Sequence, residues 1–336
     1  MRLSRDREVG MRAVVCTALG GPENLEVINR PALKNPGLNE VLVKQRAWGV
    51  NFVDALMCRG GYQLKPDPPF IPGLEAAGEI VAVGPNIEGW KIGDRVISHH
   101  RPGGFQEMHI LTADELWPVP SVMSFEEAAT FRSAAMTAYH SLVDRGRLEN
   151  GETVLVHGAT GGVGLAAVQL AKALGATVIA TGGDNKKLAT VKLAGADHVI
   201  SSTPGFRDEV KTLTDGFGVN LVYDPVGGDV FDESVRCLAW EGRIIVVGFV
   251  SGRAALAKTN HLLIKGASVI GIRAGEGARR NPVRGSLAQA NLLSLAESGQ
   301  ITPHISHCFQ LEDVSEAFRA IEARKITGKA VLTSNK

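Results

Sequence analysis

The chain has 336 residues, 44% apolar and 21% charged, the mixture of an ordinary globular protein and long enough for two domains. Its formal net charge is +1, so nothing in the balance favours nucleic acid or an anionic membrane as a partner. No run offers the roughly 18 apolar residues of a membrane span, and the N-terminal MRLSRDREVG lacks the apolar core of a secretory signal. A cytoplasmic location is therefore expected. Cys16, Cys58, Cys237 and Cys308 are scattered without the close spacing of a zinc knuckle or redox motif, which predicts four reduced thiols.

Met11 opens the first strand-like run, so residues 1–10 read as either a flexible extension or an over-called start. MRAVVC and EVLVKQRAWGV carry β-branched residues with partial alternation and read as strands. Gly, Pro and Asn then punctuate GLEAAGEIVAVGPNIEGWKIGDRVISH, as in a β-rich domain with tight turns. A helix is predicted from Ser124 to Val143, opened by the capping-box signature SFEE.

From Glu152 the pattern changes to apolar strands alternating with helices. TVLVHGA, ATVIAT, HVIS, NLVYDPV, GRIIVVGF and ASVIGI read as six strands with helical crossovers between them. That pattern predicts an α/β fold with a doubly wound parallel sheet. The tail returns to strand–helix–strand and is expected to rejoin the first domain. The predicted division is 11–135, 136–275 for the dinucleotide-binding domain, and 276–336 for the return segment.

VLVHGATGGVG places Gly158, Gly161 and Gly164 between a strand and a helix. Such a turn lets the backbone approach two phosphates, and a side chain at Gly161 or Gly162 would intrude there. The helix N-terminus adds N–H donors and a favourable dipole. At the end of the second strand, Gly182 and Gly183 stand where an NAD site usually keeps an acid for the ribose hydroxyls. Lys186 and Lys187 follow and offer ammonium groups to a 2′-phosphate, which favours NADPH. Asp184 argues the other way.

Several motifs in this order resemble the medium-chain dehydrogenase/reductase superfamily, in its zinc-independent quinone oxidoreductase branch, which includes ζ-crystallin. They are GVNFVDALMCRGGY, PGLEAAGEIVAVG, GDRV, TAYHSL, VLVHGATGGVGLAAVQLAKALGA, YDPVGG, GRIIVVG and ITGKAVL, and they cover nearly the whole chain from Met11. The resemblance implies a GroES-like catalytic domain built from both chain ends around a central Rossmann domain. It implies cofactor contacts at Tyr62, Thr137, Thr160, Gly161, Gly162, Val163, Gly183, Lys187 and Ser202. They continue at Gly228, at Val246, Val247, Gly248 and Phe249, and at Ile272, Arg273 and Ala274. Many relatives carry Tyr where Ser202 stands, a departure at one 2′-phosphate contact. The resemblance also implies a homodimer paired through the sixth strand, SVIGI.

Zinc-bearing members of the superfamily hold metal with a Cys and a His in the first domain. At the matching positions this chain has Asn51 and Leu74, neither a normal zinc ligand, so no metal is expected. Without a Lewis acid the chemistry suits hydride addition to an already electrophilic acceptor, a quinone or a conjugated carbonyl. Tyr62 and Asn51 are the catalytic candidates. In enoyl-thioester reductases of the superfamily a similar N-x-x-D…G-x-Y segment supplies a proton-donating Tyr, and this chain keeps Asn51, Asp54 and Tyr62 at that spacing. Tyr62 either donates a proton or only lines the cofactor site. Asp54 reads as a group that orients its neighbours. Arg273, Arg279, Arg280 and Arg284 form a basic loop that is either an anion-receiving surface or plain solvated surface. The alternatives to quinone reduction are reduction of 2-enoyl or acryloyl thioesters and a structural protein that only retains NADPH.

Overall fold

β1 (Met11–Cys16), rich in apolar residues, pairs antiparallel with β2 (Leu25–Arg30). β3 (Glu40–Val50) is a long strand buried along most of its length, and it runs directly into helix α1 (Phe52–Cys58). β4 (Glu75–Val83), β5 (Arg95–His99), β6 (Met108–Thr112) and the short β7 (Trp117–Pro118) follow. Helix α2 (Phe125–Tyr139) starts with the expected capping box: Ser124 N–H donates to Glu127 Oε2 at 2.8 Å and Glu127 N–H to Ser124 Oγ at 3.2 Å. Its last turn widens into a π-helical stretch over His140–Arg145. The computed structural model describes residues 10–334 except 203, so the expected N-terminal extension falls, apart from Gly10, outside the described residues.

The alternation from Glu152 builds one parallel sheet. Its elements are β8 (Thr153–Val156), α3 (Gly162–Ala173), β9 (Thr177–Gly182), α4 (Asn185–Leu193), β10 (His198–Ser201) and α5 (Phe206–Leu213). Then come β11 (Val219–Asp224), α6 (Gly228–Ser234), β12 (Leu238–Val246), α7 (Thr259–Lys265) and β13 (Ser268–Gly271). The strand order is β10-β9-β8-β11-β12-β13, all parallel. The order reverses between β8 and β11, the switch point at which doubly wound sheets bind ligands. Leu155, Ile179, Val222 and Ile244 are sealed in its core, each worth about 1.5–3 kcal/mol of transfer free energy.

RAGEGARRNPVRG, read from the sequence as a basic loop, is helical: α8 (Ala274–Arg280) and the start of α9 (Pro282–Glu297). Asn281 caps α9 by accepting from Arg284 N–H at 3.1 Å, and Pro282 takes the first helical position. The tail then gives β14 (Ile305–Gln310), α10 (Val314–Glu322) and β15 (Lys329–Thr333). β15 pairs antiparallel with β3, completing a sheet ordered β14-β15-β3-β4-β5-β7, with β6 also on β3.

The chain divides into two compact units, one up to Ser133 and from Ile305 onward, the other Ala134–His304. The return therefore begins at Ile305, where the sequence placed it at 276. Helix α9 stays with the second unit because it buries Ala288, Leu292 and Ala296 there, and Asn291 donates to Tyr139 Oη at 2.7 Å. Among the described residues no helix is long and apolar enough to cross a membrane.

Candidate active site

In the second unit, the residues singled out from the sequence collect on one edge. Gly158–Gly164 follow β8, Gly183 follows β9, Ser202 follows β10 and Gly228 follows β11. Val246–Phe249 end β12 and run past it, and Ile272–Ala274 follow β13. All lie at the carboxyl ends of parallel strands. Thr137 sits half-buried on α2, and its carbonyl accepts from Ser141 Oγ at 2.6 Å.

The turn after β8 is tight. Gly158 has φ +57, and Gly161 N–H donates to the Gly158 carbonyl at 3.0 Å. A Cβ on Gly164 would stand 2.3 Å from that carbonyl oxygen, so the third glycine is needed for the helix to pack on the turn. Gly161 is different. Its φ is −90, and a Cβ there would meet only the same oxygen, at 3.4 Å. No side chain caps α3, which leaves its first N–H groups to a phosphate ligand.

At the end of β9, Gly182 is packed against Thr160 and Leu188, while Gly183 is exposed with Ser202 Oγ 3.7 Å from its Cβ position. Asp184 Oδ1 accepts from Lys186 N–H at 2.8 Å and so caps α4. The acid that argued for NAD is thus engaged in starting a helix. Lys187 is half-buried in the first turn of that helix.

Two residues of this unit escaped the sequence reading. Asp224 ends β11, and its Oδ1 accepts from Val226 and Gly227 N–H at 2.8 and 2.9 Å. It fixes the turn that presents Gly228, and burial pushes its carboxyl up from the usual range. His157 directly follows β8, with both ring nitrogens engaged by hydroxyls of other elements. Burial pushes its pKa down to about 3, so the ring is neutral. A lone polar residue between an apolar strand and a glycine turn was the available signal.

In the first unit, strand register builds a buried polar cluster. Pairing of Ala330 with Val50 brings Lys329 beside Asn51, and pairing of Gly49 with Glu75 brings that carboxylate to the same place. Lys329 Nζ donates to Asn51 Oδ1 at 2.6 Å and to Glu75 Oε1 at 2.7 Å. Asn51 Nδ2 donates to Glu75 Oε1 at 3.1 Å, and Ser133 N–H to Glu75 Oε2 at 2.8 Å. Glu75 is fully buried and the Lys329 side chain is 6% exposed. Burial works against the Glu75 carboxylate, but Lys329 and these donors outweigh it and hold its pKa below the usual range. Gly49 makes the room: a Cβ there would lie 2.1 Å from the Ala129 carbonyl oxygen and 2.9 Å from Glu75 Oε1.

Asn51 also starts α1. Its N–H donates to Asp54 Oδ2 at 2.8 Å, and burial pushes the Asp54 carboxyl up to about 7. Asp54 thus closes the capping box at the start of α1. The Asn51 amide, read as a catalytic candidate, spends its polar atoms within the protein. Tyr62 lies half-buried downstream of α1.

Zinc does not fit here. The Asn51 oxygen already accepts from an ammonium, and Leu74 offers no donor atom. Among the described residues no group of three or more His, Cys, Asp or Glu is placed to hold a metal ion. The arginines of α8 and α9 are partly neutralised. Arg279 and Arg280 both bond Glu276, at 2.6 and 2.8 Å, and Arg284 lies 3.9 Å from Asp144.

Comparison with known proteins agrees with this layout. Residues 37–121 match the family described as "Alcohol dehydrogenase GroES-like domain", and residues 162–290 the family described as "Zinc-binding dehydrogenase". A "Quinone oxidoreductase-like protein 2 homolog" of Nematostella vectensis is 40% identical, covering 96% of this chain and 89% of its own. The crystal structure of a probable oxidoreductase from Mycobacterium abscessus superposes with a TM-score of 0.89 at 37% identity, over 97% of this chain and 99% of that one. A mycobacterial protein solved in complex with NADPH gives 0.87 at 33% identity, over 96% and 99%. The JamJ enoyl reductase gives 0.84 at 29% identity, over 97% and 99%.

Proposed function

The chain belongs to the medium-chain dehydrogenase/reductase superfamily, in its quinone oxidoreductase branch, and on that premise we propose an NADPH-dependent, zinc-independent reductase of quinones or related conjugated carbonyl compounds. The observation that carries this reading is the uncapped start of α3 behind an open Gly161, at the switch point of a parallel sheet. The backbone from Gly158 to Gly164 would hold the pyrophosphate. Ser202 and Lys187 would flank the 2′-phosphate beside Gly183, and Val246–Phe249 with Ile272–Ala274 would line the nicotinamide end. When bound, the nicotinamide supplies hydride from C4. The protein's share is to orient the acceptor and to manage the negative charge that develops on its oxygen.

Three features support NADPH over NADH: glycines in the place of the acid, Asp184 engaged as a helix cap, and the NADPH complex of a 33% identical relative. Titration of both cofactors is expected to show NADPH bound at least about tenfold more tightly, with Lys187→Ala removing most of that margin. Equal affinity for both, unchanged by Lys187→Ala, would overturn the preference.

Tyr62 is the proton donor in this reading. Tyr62→Phe is then expected to slow turnover by about 10²-fold or more while leaving NADPH affinity unchanged. A fully active Tyr62→Phe enzyme would leave Tyr62 only a lining role. Reduction of enoyl thioesters is the second reading, favoured by the Asn51, Asp54 and Tyr62 spacing and by the likeness to an enoyl reductase. The pairing of Arg279 and Arg280 with Glu276 weakens the case for an anion-receiving loop.

We further propose a homodimer paired at the free edge of β13. That strand ends the sheet, Ser268 and Gly271 on it are exposed, and Leu263 and Ile264 on α7 are 82% and 69% exposed. Sedimentation velocity is expected to give a dimer that Ile264→Asp dissociates; a monomeric parent chain would defeat the proposal.

A further inference from the structure

The turn after β8 and the ledge after β9 must keep a fixed spacing if one dinucleotide is to touch both. One side chain spans that spacing. His157 is fully buried and immediately precedes Gly158. Its Nδ1 lies 2.8 Å from Thr181 Oγ1, and its Nε2 lies 2.7 Å from Ser234 Oγ on α6. Thr181 in turn immediately precedes Gly182 and Gly183.

The donors and acceptors can be assigned. Ser234 gives its single hydroxyl hydrogen to the Val230 carbonyl at 2.6 Å. Its oxygen is then the acceptor, so Nε2 carries the ring proton. Nδ1 is left as an acceptor and takes the Thr181 hydroxyl hydrogen. The backbone repeats the tie: His157 N–H donates to the Tyr223 carbonyl at 3.0 Å, and Ala159 N–H to the Thr181 carbonyl at 3.0 Å. The Phe206 ring meets the imidazole edge-on, with centroids 5.1 Å apart. An apolar side chain would fill the volume but strand the buried Thr181 hydroxyl.

We infer that His157 is a positioning residue for the dinucleotide, locking the pyrophosphate turn of β8 to the ribose ledge of β9. The inference rests on the dinucleotide reading of that turn. His157 does not touch the ligand. It fixes the distance between two contacts that one ligand must make together, so its loss is felt by molecules that span both and not by those that touch one.

The test measures equilibrium binding of NADPH, NADH and adenosine 2′-monophosphate to the full chain, well below its melting temperature. His157→Leu is expected to weaken both dinucleotides by about tenfold, equally for the two, while the monophosphate stays within about twofold. His157→Gln, which keeps a donor and an acceptor, is expected to recover most of the loss. Should His157→Leu fail to fold, Thr181→Val removes the hydroxyl donor alone and is expected to show the same pattern at about threefold or more. Unchanged dinucleotide affinity, or equal losses for dinucleotide and monophosphate, would overturn the positioning role. A parent chain that prefers NADH would sink the cofactor preference, while an equal loss on both dinucleotides would still uphold His157.

Discussion

Lys329→Met is expected to destabilise the first unit by about 3–5 kcal/mol, because it leaves the Glu75 carboxylate buried without its counter-charge. For a unit of this size that is a fall in melting temperature of roughly 10 °C. The pH dependence carries the sign. In the parent chain the Glu75 pKa is held below the usual carboxylate range, so its contribution is present above the unfolded value and lost as pH falls through the folded one. In Lys329→Met the balance reverses: burial without the ammonium raises the folded pKa above the unfolded one. That contribution is then present below the unfolded pKa and lost as pH rises through the folded value. The deficit between variant and parent should therefore be largest near neutral pH and narrow toward about pH 4.5. Adding Glu75→Gln should recover more than half of the loss, since a neutral amide costs far less to bury. Thermal or chemical denaturation across that pH range checks this. A deficit below about 1 kcal/mol at pH 7 would mean that the pair behaves as a solvated one.

Gly161→Val is expected to separate binding from folding. The backbone there has φ −90, and a Cβ meets only the Gly158 carbonyl oxygen, at ordinary contact distance. Stability should fall by no more than about 1 kcal/mol, the usual preference for Gly over Val at a helix N-cap. Affinity for NADPH should fall by at least about 100-fold, because the side chain fills the space through which the pyrophosphate reaches the uncapped N–H groups of α3. Gly164→Ala should fail in the opposite way. Its Cβ would stand 2.3 Å from a backbone oxygen, so the turn or the helix must shift before any ligand arrives. Paired melting curves and NADPH titrations distinguish the two. Normal NADPH binding by a folded Gly161→Val chain would remove the turn from the cofactor site.

The second unit was legible in the sequence because its physics is local. Each strand is a short apolar run, each crossover is a neighbouring helix, and the glycine turn falls within eleven consecutive residues. Six strands in alternation with helices allow few right-handed topologies, and the observed order is the doubly wound one. The polar cluster of the first unit was not legible. Lys329 lies 278 positions from Asn51 and 254 from Glu75, and only the pairing of β15 with β3 brings them together. Asn51 was noticed as the residue standing where relatives keep a metal ligand. That its amide is spent on Lys329 and Glu75 follows from register, which no local pattern contains. Helices α8 and α9 were missed for another reason. The stretch was read for its arginines alone, but Asn281 and Pro282 form an N-cap and first-position pair, and Glu276 with Arg280 is a helical i,i+4 pair. Those signals are local, and they hold the stretch helical despite Gly275, Gly277 and Gly285.

The proposed reaction is hydride transfer from NADPH to a conjugated acceptor without a metal. Its most direct test is NADPH oxidation by protein of measured metal content, dialysed against chelator, with a panel of quinones, enones and enoyl thioesters. The panel is repeated with NADPH deuterated at C4. Acceptor-dependent oxidation is expected at undiminished rate after chelation, with deuterium delivered to carbon of the reduced acceptor whenever a C=C bond is reduced. Turnover that appears only when stoichiometric zinc is restored, or no oxidation with any acceptor despite tight NADPH binding, would contradict it.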